Sequence, residues 1–173
     1  MKKILLVHNK YRHIGGEDIA VEQEIEFLKD NYQVETLFFH NSISNYVSDI
    51  KSFLFSNNNK SLEQLKEVIK KFNPDVVYVH NTWFKASLGI FKLLEKERIN
   101  TIIKLHNFRY YCTQHFSSKK HLARNKYCLG CGYNQNNYRF FNKYFSESYL
   151  KSFFVILYGR KYFKILKKGN IKI

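Results

Sequence analysis

Four short apolar runs, separated by segments of helical periodicity, restrict this chain to an alternating strand–helix design. The runs are Leu5-Leu6-Val7, Val34 to Phe39, Val76 to Val79 and Ile102 to Leu105. Their length and their β-branched and aromatic content suit buried strands, predicted over residues 3–8, 34–39, 76–79 and 101–105. Between them, apolar residues recur at helical spacing: Val21, Ile25 and Leu28; then Leu62, Leu65, Ile69 and Phe72; then Leu88, Phe91 and Leu94. Ser61 with Gln64 three residues later reads as a capping box opening the second helix, and Asn73-Pro74 closes it. The third helix is expected over 84–97, and a short one within 46–55. Such alternation with short joints implies an α/β fold with a parallel sheet and right-handed crossovers. The expected order sets the first strand beside the third, with the second outside it.

Each of the four runs ends in the same dipeptide: His8-Asn9, His40-Asn41, His80-Asn81 and His106-Asn107. In a parallel sheet these pairs share one edge, the edge at which open α/β sheets bind ligands. They are expected to line a site at the crevice between the first and third strands. Polar residues must follow buried strands in any case, and the chain is rich in Asn.

The chain of 173 residues is long enough for one domain with a real core. Its apolar start stops at His8 with no small-residue cleavage site after it, unlike a signal peptide. No run approaches the roughly 18 apolar residues of a membrane span. The expectation is a cytoplasmic protein with reduced thiols. Charge is unevenly distributed. Residues 1–97 hold 13 Lys/Arg against 13 Asp/Glu, whereas residues 98–173 hold 16 Lys/Arg and the single acid Glu147. The whole excess of +15 therefore sits in the second part of the chain, favouring anionic partners there.

Gly15 and Gly16 precede the first helix, where small residues allow a ligand to approach backbone N–H groups. The three spaced glycines of a dinucleotide fingerprint are missing, and so is the Gly-Lys-Ser/Thr of a P-loop. Three stretches together are more specific than the glycines: His8-Asn9 followed by Gly15-Gly16-Glu17-Asp18; Pro74-Asp75-Val76-Val77-Tyr78-Val79-His80-Asn81-Thr82; and Leu105-His106-Asn107-Phe108-Arg109-Tyr110-Tyr111-Cys112 with the later Cys128-Leu129-Gly130-Cys131. With these, the chain resembles the N-terminal domain of family 4-type glycosyltransferases over residues 3 to about 131.

The resemblance implies a GT-B architecture: two Rossmann-like domains facing a cleft, the first holding the acceptor and the second the nucleotide-sugar donor. It implies sugar transfer with retention, to a glycan or lipid-linked acceptor, without a divalent metal or other required cofactor. By resemblance, Gly15 and Gly16 lie beneath the transferring sugar. His106, the residue given the catalytic role, approaches that sugar or the acceptor from the cleft wall. His80 and Asn81 line the acceptor side, and Asn107 and Arg109 also contact substrate. The sequence departs from the family in one respect. No second Rossmann pattern follows, and the donor domain's two Glu separated by seven residues have no counterpart, because Glu147 is the only acid after Glu97. The chain is therefore expected to be inactive without a donor-binding domain, as a truncated product, a gene fragment, or one subunit of a split enzyme whose separate partner supplies that domain.

Cys112, Cys128 and Cys131, with a neighbouring His as fourth ligand, have the composition of a structural zinc site; three reduced, packed thiols would need the same residues. Residues 1–137 are read as the acceptor-side domain and 138–173 as a basic, aromatic tail with a helix from near Ser146. That tail mixes nine cations with eleven Phe/Tyr. It suits contact with a missing domain first, an anionic membrane surface at the inner face second, and nucleic acid last. A non-catalytic, zinc-stapled basic module binding membrane or RNA is the alternative function.

Overall fold

The computed structural model describes residues 1–11, 14–41, 51–53, 55–106, 148–168 and 171–172. The chain divides into two compact units, one comprising Met1–His106 with Lys168–Ile173, the other Asn107–Lys167. The expected boundary at 137/138 falls inside the second unit.

The first unit is built on a five-stranded parallel sheet: β1 (Lys3–Lys10), β2 (Gln33–His40), β3 (Val76–Val79), β4 (Asn100–Ile103) and β5 (Ile171–Lys172), in the order β2-β1-β3-β4-β5. The α/β expectation holds, as does the placement of β1 between β2 and β3. Its helices are α1 (Gly16–Lys29), α2 (Asn59–Phe72) and α3 (Gly89–Lys96). Because β2 lies to one side of β1 and β3 to the other, right-handed crossovers put α1 on one face of the sheet and α2 on the opposite face.

Side chains alternate across the sheet. Leu6 faces α1 and packs with Val21 and Ile25, bordered by Leu28, Val34, Phe38 and Tyr78. Leu5 and Val7 face the other way and are also fully buried. Each such Leu or Val removes enough apolar surface to contribute about 2 kcal/mol. The same alternation assigns the strand-end residues: His8 continues the Leu6 face, and Asn9 continues the Val7 face.

Three elements differ from the sequence expectation. Helix α2 is capped by Asn58, whose side chain accepts from the Ser61 amide at 3.4 Å, so Ser61 is not the cap. The Ser61 hydroxyl instead donates to the Lys85 carbonyl at 2.7 Å. Helix α3 begins at Gly89 rather than 84, because Phe84 (φ 78°) and Ser87 (φ 61°) are left-handed and cannot continue a helix. Gly89 packs closely: a Cβ there would lie 3.0 Å from Asn57 Oδ1 and 3.1 Å from the Ser56 carbonyl. The fifth strand was not anticipated. The end of α2 follows the sequence: Asn73 is left-handed (φ 50°) and Pro74 comes next. Of the expected helix within 46–55, residues 51–53 are helical, and 42–50 lie outside the described residues.

In the second unit, α4 (Tyr149–Leu166) is capped by Ser148, which accepts from the Lys151 amide at 3.4 Å. Ser152, Val155, Tyr158, Gly159, Tyr162 and Leu166 form its buried stripe. Leu150 and Phe153 are exposed, as are Lys151, Arg160, Lys161 and Lys164. No helix among the described residues is long and apolar enough to cross a membrane.

Candidate functional site at the carboxyl edge of the sheet

In His8-Asn9 and His80-Asn81 the two residues part company at the sheet edge, because they fall on opposite faces. Asn9 is fully buried and uses both ends of its amide. Its Oδ1 accepts from the Lys85 and Ala86 amides at 3.1 and 2.9 Å. Its Nδ2 donates to Asn41 Oδ1 at 2.8 Å and to the Lys10 carbonyl at 3.2 Å. Asn81 donates from Nδ2 to the Asn9 carbonyl at 3.0 Å and accepts at Oδ1 from the Trp83 amide at 2.9 Å. These side chains replace strand pairing where the ladder ends, and they hold the 82–88 connection in its left-handed turns.

The histidines lie toward α1. His8 Nε2 is 2.8 Å from Asp18 Oδ1, and both side chains are buried. Asp18 Oδ2 accepts the Gly15 amide at 2.9 Å, so one carboxylate ties the end of β1 to the start of α1. Burial pushes Asp18 upward, but the bonds from His8 and Gly15 outweigh it and hold the carboxyl below its usual range. Burial pulls the His8 imidazole down more than Asp18 raises it. His8 Nδ1 has no hydrogen-bond partner among the described residues.

A second chain of contacts begins on α1 at Glu24. Its Oε1 accepts from the Tyr78 hydroxyl at 2.7 Å and its Oε2 from Lys104 Nζ at 2.6 Å. Burial raises Glu24, but these donors and the nearby His80 bring it below the ordinary value. Tyr78 is pushed up, by burial and then by the Glu24 carboxylate. Glu24 Oε2 lies 3.8 Å from His80 Nε2. On the other side of the ring, His80 Nδ1 is 2.9 Å from His106 Nε2, with the two rings stacked at 5.1 Å between centroids. Burial drives His80 down to about 3, so the ring is neutral at physiological pH. His106 is partly exposed and is also lowered, by burial and then by Lys104.

The structure therefore brings His80 and His106 into direct contact and places Gly15 and Gly16 at the same carboxyl edge. His8 and Asn9 are too deeply buried to line a surface, and His40 is exposed at the end of β2. Asn107, Arg109, Cys112, Cys128 and Cys131 lie outside the described residues, and with them the zinc expectation. Among the described residues, no group of three or more His, Cys, Asp or Glu is arranged to hold a metal ion.

Asp18 and Glu24 were not singled out as site residues, although the sequence carries a signal for both. Asp18 lies three residues before Val21 and seven before Ile25, on the buried stripe of α1. Glu24 lies three after Val21, on the flank of that stripe. A carboxylate at such a position needs a partner on the sheet.

Among the described residues, nothing lies within 4 Å of the point where a Cβ on Gly16 would sit. Neither Gly15 nor Gly16 has a left-handed φ, so neither packing nor backbone strain demands a glycine at these two positions. The space over Gly16 is open to a close-approaching ligand. Glu17 and Asp18 in the first turn of α1 already oppose the positive helix end, which favours a neutral, hydroxylated group over a phosphate. In comparisons with family models, curated proteins and solved structures, the chain matches none.

Proposed function

We propose that this chain forms the acceptor-side, Rossmann-like half of a retaining glycosyltransferase, active when a donor-binding domain faces it. The carrying observation is the shared position of the Gly15–Gly16 turn and His106 at one carboxyl edge of a 2-1-3-4-5 parallel sheet, with no described residue filling the space over Gly16. A sugar ring can rest on such a turn because no side chain intervenes. The fold supports the reading in kind only, since many activities share it.

In this role the turn supports the sugar being transferred, His106 hydrogen-bonds a hydroxyl of that sugar or of the acceptor, and Asn107 and Arg109 contact substrate. His80 acts from beneath His106, and Asn81 shapes the acceptor side through the 82–88 connection that it holds. The nucleotide-sugar donor binds the facing domain, and no metal is required for transfer. The protein works in the cytoplasm at the inner face of the membrane, where a lipid-linked acceptor is reached. The exposed Leu150 and Phe153 beside Lys151 on α4 support that placement. Flotation with vesicles containing anionic lipid, at low salt, checks it: protein left at the bottom removes the membrane from the account.

The test of the main reading is NMR titration of the ¹⁵N-labelled full chain with UDP- and GDP-sugars and with short neutral oligosaccharides. Perturbation of the Gly15 and Gly16 amides and the His106 ring by a sugar, lost in Gly16→Trp, is the expected result. Resonances that do not move with any of these ligands would sink the reading.

A further inference from the structure

We propose that Glu24 and His80 are positioning residues that fix the tautomer of His106, placing its proton on Nε2 and leaving Nδ1 as an open hydrogen-bond acceptor. A neutral imidazole carries one N–H, and His80 has a different neighbour at each nitrogen: Glu24 Oε2 at 3.8 Å from Nε2, and His106 Nε2 at 2.9 Å from Nδ1.

Two arrangements are available. With the proton on Nδ1, His80 donates to His106, and its Nε2 lone pair faces a carboxylate. With the proton on Nε2, the N–H lies near the Glu24 carboxylate, at 3.8 Å from nitrogen to oxygen and without a hydrogen bond, and Nδ1 accepts from His106. The second arrangement is favoured electrostatically, and burial strengthens the preference because little water screens the pair: the His80 side chain is fully buried. Glu24 cannot readily turn away, because Tyr78 holds one of its oxygens and Lys104 the other. Once His80 Nδ1 is an acceptor, the 2.9 Å contact requires His106 to donate from Nε2.

Burial is the main opposition to a second proton on His80; Glu24 favours one, while His106, His8 (its ring edge-on at 6.3 Å) and Lys104, which sits on the Glu24 oxygen near Nε2, act against it. Two neutral rings in series then carry the orientation of one carboxylate from α1 to His106 at the end of β4. The consequence for ligand chemistry is direct. An acceptor nitrogen selects a hydroxyl or amide N–H and gives no hydrogen bond to a phosphate or carboxylate oxygen. Only the identification of that hydroxyl as one belonging to a sugar rests on the glycosyltransferase reading.

The experiment is a long-range ¹H–¹⁵N correlation spectrum of the histidine rings in the ¹⁵N-labelled full chain, without ligand, at neutral pH. His80 and His106 are both expected to show the proton on Nε2. Glu24→Gln keeps an amide oxygen for Lys104 but removes the negative charge that biases the His80 proton toward Nε2, so both rings are expected to gain a measurable share of the Nδ1–H form. A change that reaches His106 from residue 24 is not what a merely structural residue would produce. A wild-type His80 with its proton on Nδ1, or a doubly protonated His106, overturns the proposal even where Glu24→Gln fails to fold. A folded Glu24→Gln with both rings unchanged overturns the role of Glu24. Because no sugar is present, these outcomes stand apart from the ligand titration above.

Discussion

On the face of β1 away from α1, Asn9 commits its amide oxygen and nitrogen to four hydrogen bonds. On the α1 face, His8 and His80 each keep one ring nitrogen without a hydrogen-bond partner among the described residues. Both sets of side chains come from the same dipeptide at the same strand ends. The two-residue period of a strand sends them to opposite sides, and each side then serves a different purpose. The Asn9 amide is saturated, which suits a scaffold, since an unsatisfied buried group costs free energy. The imidazole side is coupled to carboxylates on a helix and ends at a partly exposed ring, which suits a group that must meet a ligand in one protonation state.

The sharpest way to break this comparison is Asn9→Ala. Two loop amides lose their acceptor, and the Lys85–Ala86 turn loses its anchor. Urea unfolding should show a loss on the order of 3 kcal/mol. A loss below about 1 kcal/mol would mean that the amide side is not the scaffold. Next in size is acidification. His80 is neutral when folded, at about 3, and ordinary when unfolded, near 6.5, so the unfolded chain takes up a proton first as pH falls. Stability should therefore decline from pH 6.5 downward, with His80 alone accounting for about 1.4 kcal/mol per pH unit. His8 and His106 shift in the same direction and add to the slope. Asp18 and Glu24 are depressed, so their contribution persists until lower pH and is lost as pH falls through the carboxylate range. Urea midpoints for wild type and His80→Gln between pH 7.5 and 5.5 separate the histidine share; parallel slopes would place the pH dependence elsewhere.

A smaller effect is expected for Asn58→Ala, which removes the α2 cap and a 2.9 Å bond to the Lys85 carbonyl. About 1 kcal/mol should be lost with no change in the pH slope, because this residue belongs to the amide side of the comparison. Smallest of all is Glu22→Gln, which breaks the solvent-facing pair with Lys10 at 3.0 Å. A change within about 0.5 kcal/mol is expected, and a larger one would show that the rim of α1 shares in the buried network.

The sheet could be read from the sequence because each inner strand carries its own apolar run, and β3 was placed at its observed bounds. The strand β5 was hidden: Ile171 and Lys172 follow Lys168-Gly169-Asn170 and have no periodicity of their own, so only the sheet edge makes them a strand. The start of α3 was misplaced for a similar reason. Nothing in the letters Phe84 or Ser87 marks a left-handed residue; that conformation follows from Asn9, more than seventy positions away. Ser61 matched a capping pattern, but Asn58 competed for the same helix end and prevailed. The repeated His-Asn pairs draw attention to the carboxyl edge of the sheet, yet in the sequence their residues look equivalent. Their division between two faces, and the carboxylates that meet the imidazoles, became visible only once α1 had been laid against β1.

The last strand gives the sheet a timetable. Residues up to Ile103 supply four of its strands, but the strand that covers the β4 edge is not made until Ile171 and Lys172 leave the ribosome. At ordinary synthesis rates that interval is on the order of ten seconds. During it, β4 presents bare backbone donors and acceptors, a template on which another nascent chain could pair. The segment translated in that interval is the basic one, and its charge would keep neighbouring nascent chains apart while the edge waits.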